Sequence, residues 1–175
     1  MIAAALPCAT HAAAEPARFE STVLHPGDVV LGQRGAQLST LLGSCVAIIL
    51  VDPRRTVGVM SHVVYVRHEG RTREDEAAAP KACTQGQVAL LRMTALLQAQ
   101  GIDARQCQAY VYGGGNMFPG VYTHDNVGDS NVRWALQALA ALGIELLHHD
   151  VGGTVYRKLS WTVGPEQPQV VSVPI

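Results

Sequence analysis

The sequence predicts a single α+β domain with a layered, β-sandwich-like core and helices packed on its outside. Short apolar runs rich in β-branched residues recur along the chain, and Gly, Pro, Asn and Asp residues separate them, as is typical of strands joined by turns. Two further segments have the apolar spacing and the boundary residues of helices. The 175 residues are close to the size of one domain, and no repeat or linker divides them.

Composition and charge exclude several classes of protein. The chain is 48% hydrophobic, which is enough apolar surface to build a core. Its 13 Lys and Arg residues are balanced by 14 Asp and Glu residues, and this balance argues against a phosphate-binding surface for nucleic acid. No apolar run approaches the roughly 20 residues that a transmembrane helix needs. The four cysteines are scattered without a CxxC pair, so no disulfide scaffold is expected.

Residues 1–20 are expected to lie outside the folded domain, which we place at residues 21–175. The start of the chain is Ala-rich, but no Lys or Arg precedes the apolar stretch, and Pro7 and His11 interrupt it. These features argue against a cleaved secretion signal. We interpret the segment as a disordered tail or as the result of a start codon placed too early, and we expect a cytoplasmic protein.

The first half of the chain is predicted to be mostly strand. Turn residues at 25–28 and at 52–53 separate its apolar runs. Residues 46–51 form a continuous apolar run, as expected of a strand that is buried on both faces. The polar segment 67–81 has no apolar face and predicts a mobile loop or lid. The predicted strands of this half are 29–31, 37–42, 46–51 and 57–66.

The second half contains both predicted helices. Thr84 and Gln87 form a capping box ahead of an apolar helical pattern that ends at Gly101. The second helix covers about residues 132–142, with Ser130 or Asn131 as its N-cap and Gly143 as its terminator. Further strands are predicted at 109–112, 144–148, 156–163 and 170–173.

Cys45 is the first candidate for chemistry. Gly43 and Ser44 make a tight break before the buried strand, so the Cys45 thiol is expected at a strand edge beside free backbone N–H groups. Such groups can stabilise an oxyanion, which makes Ser44 and Cys45 the candidate residues of an oxyanion site and cleft. Taken alone, a Cys at the start of a strand is more often a packing residue.

His62 is the candidate base for Cys45. A thiol needs a base or a positive field to act as a nucleophile at neutral pH. A short turn joins the two strands, so a hairpin-like return brings His62 back toward Cys45, and the pair suits acyl transfer from an amide or ester. Ser39 or Thr40, on the strand entering the Cys45 turn, could accept a hydrogen bond from the ring. Reasoning from the residues leaves these two alternatives open.

These residues and several later motifs carry a family resemblance. The chain resembles the bacterial chemoreceptor glutamine deamidases, the CheD family, in Leu-Ser-Thr-Leu-Leu-Gly-Ser-Cys-Val-Ala (38–47), Asp52-Pro53 and Gly-Val-Met-Ser-His (58–62). The resemblance covers roughly residues 23–173. Its later motifs are Tyr-Gly-Gly-Gly-Asn-Met-Phe (112–118), Val-Gly-Asp-Ser-Asn (127–131), and Asp-Val-Gly-Gly (150–153) followed by Arg157-Lys158.

The resemblance implies a protein-glutamine glutaminase that converts glutamines of methyl-accepting chemotaxis receptors to glutamate. It implies a fold shared with the catalytic domains of cytotoxic necrotizing factor toxins, with Cys45 as nucleophile and His62 as base. The family's third residue, usually Thr, falls on Ser39, and Thr40 follows it directly. No metal or organic cofactor is implied. The implied partners are chemotaxis receptors and, in some bacteria, a CheC-type phosphatase.

Two rival functions stand beside the deamidase. The chain could be a binding module that docks on a phosphatase or receptor with little turnover, or a thiol hydrolase of a small-molecule amide. The presence of both Cys45 and His62 favours the deamidase. A metal site at His148 and His149 is not expected, because adjacent residues of a strand point to opposite faces.

Overall fold

A computed structural model describes residues 21–65, 85–121 and 126–175. The predicted tail 1–20, the predicted loop 67–81 and the predicted capping residue Thr84 lie outside these ranges. The described strands are β1 (Ser21–Val23), β2 (Val29–Gln33), β3 (Gln37–Leu42), β4 (Val46–Val51), β5 (Val57–Val63), β6 (Gln108–Gly113), β7 (Glu145–Val151), β8 (Val155–Thr162) and β9 (Gln169–Pro174). The described α-helices are α1 (Gly86–Ala99) and α2 (Val127–Ala141), and a turn of 3₁₀-helix covers Ala104–Gln106. Neither of these α-helices is long and apolar enough to cross a membrane.

The strands form two mixed sheets. The first sheet has the order β1-β3-β8-β9, and the second has the order β2-β5-β4-β6-β7. The pairs β1–β3 and β6–β7 are parallel, and the other neighbouring strands are antiparallel. The chain passes from the first sheet to the second between β3 and β4, so the segment around Cys45 connects the two sheets.

The central strand of the second sheet is β4, and all of its residues are buried. This strand has the first sheet on one face and the helices on the other, so it must be apolar throughout, as its sequence predicted. β5 returns antiparallel to it after a tight turn, and the register places Ala47 opposite His62. The turn is held by the Asp52 carboxylate, which accepts hydrogen bonds from the backbone N–H groups of Arg54, Thr56 and Val57.

Two apolar clusters divide the molecule into three layers. One cluster lies between the two sheets and includes Leu38, Leu42, Ile49, Tyr112 and Trp161. The other lies between the second sheet and the helices and includes Ile48, Val111, Met93, Leu97 and Leu139. Because side chains alternate between the two faces of a strand, successive residues of the second sheet contribute to the two clusters in turn. This arrangement confirms the predicted α+β fold with a layered β core and outer helices.

The starts of the helices differ most from the sequence-based predictions. α2 begins at Val127, well before the predicted start near residue 132, because the Asn126 side chain accepts a hydrogen bond from the Asp129 N–H and caps the helix. The predicted caps Ser130 and Asn131 are therefore wrong, since both lie inside the helix. α1 follows Gln85, whose side chain makes no capping hydrogen bond.

Candidate active site

Cys45 lies directly before β4, on the segment that connects the two sheets. Its carbonyl oxygen accepts a 2.8 Å hydrogen bond from the Gly114 N–H, and the Gly43 carbonyl accepts one of 2.8 Å from Gly115. At Gly113, where φ is +109°, a Cβ would lie 2.2 Å from the Cys45 carbonyl oxygen. Only glycine fits there. The glycine run at residues 113–115 thus lies against the Cys45 backbone.

Cys45 and His62 lie on the same face of the second sheet. Ala47 is directly opposite His62 in the β4–β5 register, and Cys45 is two residues before Ala47. Side chains two residues apart along a strand share a face, so Cys45 is a diagonal neighbour of His62, at the about 7–8 Å spacing of such pairs. Cys45 also packs against the apolar cluster between the sheets. The register therefore brings the predicted nucleophile and base together.

The ring of His62 is oriented by Thr40. Its Nδ1 lies 2.8 Å from Thr40 Oγ1, and the same hydroxyl donates a 2.8 Å hydrogen bond to the Leu24 carbonyl oxygen. A hydroxyl has one proton, and the carbonyl can only accept, so the neutral His62 ring must donate its Nδ1 proton to Thr40. This assignment leaves the lone pair on Nε2, as a general base requires.

Ser39 does not contact His62. Side chains alternate along β3, so the inward residues Leu38, Thr40 and Leu42 are buried between the sheets, whereas Ser39 faces the other side. There it lines a surface groove with Gln37 and Ser160. Of the two alternatives that the sequence left open, Thr40 therefore contacts His62 and Ser39 faces away, because a shift of one residue along a strand moves the side chain to the opposite face.

Burial governs the ionisation of the Cys45 thiol. Loss of solvation raises the pKa of Cys45 above its ordinary value of 9.0, and a hydrogen bond from its own backbone N–H lowers the pKa in part. The thiol is consequently protonated at rest near neutral pH. The backbone N–H of Cys45 belongs to the same residue as the sulfur, which makes it a candidate donor to an oxyanion formed during attack on a carbonyl.

A pocket of about 270 Å³ adjoins Cys45 through Ser44. Its rim is apolar and exposed to solvent at Phe118 and Val127. The position of Ser44 at the cleft agrees with its sequence-based prediction, whereas no role was predicted for the rim residues Phe118 and Val127. The lining residues are Ser44, Gly115, Asn116, Met117, Phe118, Asn126 and Val127.

Asn131 is a site residue that sequence reasoning assigned only to a helix cap. Its side chain is fully buried in α2, and Nδ2 donates hydrogen bonds of 2.9 Å to the Ser44 carbonyl and 3.0 Å to the Val64 carbonyl. These two carbonyls flank the positions of Cys45 and His62. The available signal was an Asn inside a helix, where this residue type is unfavourable unless its side chain has partners.

The motif at residues 150–157 also holds the glycine run in place. The buried Arg157 guanidinium donates to Asp150 Oδ1 at 2.8 and 3.1 Å and to the Gly152 carbonyl at 2.8 Å. The Gly152 N–H in turn donates to the Gly113 carbonyl at 2.9 Å. This chain of contacts connects β7 and β8 to the backbone that lies against Cys45. Within the described ranges, no group of three or more His, Cys, Asp or Glu side chains could hold a metal ion.

The chain matches a family model described as CheD chemotactic sensory transduction over residues 70–169. The chain belongs to the CheD family. This membership confirms the resemblance that the sequence motifs carried. The motifs at residues 112–118, 127–131 and 150–153, which meet around Cys45 in the fold, fall within the matched range.

Several CheD relatives match over most of the chain. A protein of Albidiferax ferrireducens named "Probable chemoreceptor glutamine deamidase CheD 2" is 36% identical over 145 residues, which cover 80% of this chain and 80% of the relative. A CheD protein of Pseudomonas fluorescens with the same deamidase name is 33% identical and covers 83% of this chain and 80% of its own length. "CheD 3" of Dechloromonas aromatica is 33% identical and covers 86% of each chain.

Proposed function

We propose that this chain is a chemoreceptor glutamine deamidase, which hydrolyses the side-chain amide of receptor glutamines to glutamate and releases ammonia. The names of its CheD relatives support the reaction and the substrate. The observation that carries the proposal for this chain is the hydrogen bond from His62 Nδ1 to Thr40, because it leaves Nε2 as the basic nitrogen beside Cys45.

The first half of the proposed reaction forms a thioester. His62 Nε2 accepts the proton of the Cys45 thiol as the sulfur attacks the carboxamide carbon. The raised pKa of the thiol makes this transfer necessary, because little thiolate exists before the substrate binds. The carbonyl π electrons move to oxygen, and the Cys45 N–H stabilises the oxyanion. The C–N bond then breaks, and ammonia leaves with the proton that His62 returns.

The second half releases glutamate. A water molecule gives a proton to His62 Nε2 and attacks the thioester carbon, and the same N–H stabilises the second oxyanion. When the C–S bond breaks, the proton returns to sulfur and the free enzyme is restored. A glutamyl methyl ester would react by the same steps, with methanol in place of ammonia. Apart from the amide of the substrate, the groups that these steps use belong to Cys45, to His62 or to water.

Thr40 is proposed to keep the imidazole in place throughout the reaction. When His62 is protonated, Nδ1 still donates to Thr40, whose proton still goes to the Leu24 carbonyl. No bond at this side of the ring has to change during a turnover. A hydroxyl carries no charge, so it stabilises the imidazolium less than a carboxylate would, and His62 returns its proton more readily.

The pocket next to Ser44 is the proposed binding site for the glutamine side chain. Its volume of about 270 Å³ suits one side chain rather than a large ligand. The exposed rim residues Phe118 and Val127 would contact the receptor surface around that glutamine. A CheC-type phosphatase partner was implied by the family resemblance alone and stays a prediction.

Peptide mass spectrometry of a receptor cytoplasmic fragment tests the proposal. After incubation with the protein, defined glutamines should be converted to glutamate. Cys45→Ala should abolish the conversion. Cys107→Ala is the matched control, because Cys107 is a buried free thiol in the cluster between the second sheet and the helices. Binding to receptors without conversion would overturn the proposal in favour of the binding module.

A further inference from the structure

We propose that Asn131 is a positioning residue that holds the Ser44–Cys45 peptide so that the Cys45 N–H faces the oxyanion. The inference rests on the proposed cysteine-dependent hydrolysis and adds a residue to its machinery. Asn131 touches neither Cys45 Sγ nor the His62 ring in any hydrogen bond of the described chain, and acts through the backbone of the residue before the nucleophile.

The orientation of the Asn131 amide is determined by its partners. Nδ2 lies 2.9 Å from the Ser44 carbonyl oxygen and 3.0 Å from the Val64 carbonyl oxygen. Both partners can only accept hydrogen bonds, so the nitrogen and not the oxygen must face them. The two protons of the NH₂ group are therefore used, one for each carbonyl.

The two carbonyls lie where the β4–β5 ladder ends. The last pair of that ladder is Val46 opposite Val63, so the next residues, Cys45 and Val64, are outside both strands. Without a further hydrogen-bonded contact, the ends of β4 and β5 could separate next to the proposed nucleophile. The Asn131 side chain bridges the Ser44 and Val64 carbonyls and joins the two ends there.

The hydrogen bond to Ser44 also determines where the Cys45 N–H points. In a trans peptide the C=O and N–H vectors are opposed, so a carbonyl held toward Asn131 turns the following N–H away from Asn131. That N–H belongs to Cys45, the residue that carries the proposed nucleophile. Rotation of this peptide would carry the donor away from the oxyanion, and it would first have to break the bond to Asn131.

The sequence context supports a specific use of Asn131. Asn is a poor residue for the interior of a helix, and a fully buried Asn loses its solvation. A buried apolar residue at this position of α2 would pack without that cost. The amide is useful only if the two backbone carbonyls need donors, which is the case beside Cys45.

Asn131 could either position the oxyanion donor or only stabilise the fold around Cys45. Two reactions of the Cys45 thiol distinguish these roles. Alkylation by iodoacetamide displaces iodide at a saturated carbon and forms no oxyanion. Acylation by p-nitrophenyl acetate forms an oxyanion and releases nitrophenolate. We expect Asn131→Ala to lower the acylation rate by about 100-fold, the effect of losing one oxyanion donor, while the alkylation rate is nearly unchanged. The Cys45→Ala rate is subtracted in both assays.

Gln137→Ala is the matched control, because Gln137 is exposed on the same helix. Its rates should equal those of the unchanged protein. Asn131→Ser keeps one hydroxyl donor and should reduce acylation less than Asn131→Ala, and it serves as the test if the alanine variant does not fold. A parallel fall of both rates, or no fall in acylation, would overturn the proposal. Failure of the unchanged protein to deamidate receptors would count against the proposed function instead.

Discussion

Thr40 and His62 join the two sheets of the domain through one hydrogen bond. Thr40 lies in β3 of the first sheet and His62 in β5 of the second, and Oγ1 of Thr40 lies 2.8 Å from Nδ1 of His62. The hydroxyl proton is used by the Leu24 carbonyl, so the ring nitrogen must be the donor. The packing of the sheets therefore sets both the orientation and the tautomer of the candidate base.

Thr40→Val should lower kcat for deamidation by roughly 10- to 100-fold. This loss is part of the rate enhancement that a correctly positioned general base provides. Valine keeps the shape of threonine but cannot accept the Nδ1 proton, so the ring can turn and change tautomer. Thr40→Ser should retain most of the activity. Ser39→Ala is the control, because Ser39 faces the other side of β3. A larger loss in Ser39→Ala than in Thr40→Val would contradict the assignment.

The pH dependence of Cys45 alkylation should reflect its burial. Burial raises the pKa of the thiol above 9.0, so at each pH less thiolate is present than for an exposed thiol. In a His62→Ala variant, we expect the rate with iodoacetamide to keep rising beyond pH 9, where a free cysteine is already levelling off. Peptide mapping assigns the modified residue. A rate that is constant from neutral pH upward would instead indicate a preformed thiolate.

Gly113→Ala should destabilise the protein and abolish activity. The new Cβ would lie 2.2 Å from the Cys45 carbonyl oxygen at a φ of +109°, so the backbone must move. We expect the free energy of unfolding to fall by more than about 3 kcal/mol, measured by urea denaturation.

Gly101→Ala is the control for backbone strain alone. Gly101 also has a positive φ, of +74°, but a Cβ there meets no atom within 4 Å. Its cost should be only about 1–2 kcal/mol, with activity retained. If Gly113→Ala and Gly101→Ala changed stability and activity equally, the close approach of Gly113 to Cys45 would add nothing to the cost of a positive φ.

Arg157→Met should lower the free energy of unfolding by about 2 kcal/mol. This loss is smaller than the loss expected when a fully buried ion pair is broken, because the Asp150 side chain is 33% exposed and water can solvate it. The Gly152 carbonyl also loses its donor, so the backbone near Gly113 loosens and kcat should fall as well. Lys158→Met, at the next, exposed position of β8, should change neither quantity. Equal stability of the two variants in urea would contradict the prediction.

Local sequence patterns predicted most of the strands and the region of the site. The apolar run Val46–Val51 and its turn at Asp52 determine the β4–β5 hairpin, and the hairpin places His62 near Cys45. The tight break before Cys45 was also predicted, because Gly43 and Ser44 precede an apolar run that is typical of a buried strand. The start of α2 was not predicted, because Asn126 caps the helix and the predicted cap Asn131 instead lies inside it, where its side chain donates to the Ser44 and Val64 carbonyls.

The sequence by itself determined the fold class, the family and the pair of Cys45 and His62, because these depend on residue type and on short spacings along the chain. Only the tertiary structure decided that Thr40 and not Ser39 holds His62, since one residue along a strand reverses the face of a side chain. It alone also placed Asn131 against Ser44, 87 residues away in the chain. Contacts between distant segments form when the sheets and helices pack, and no local pattern encodes which polar atoms then meet.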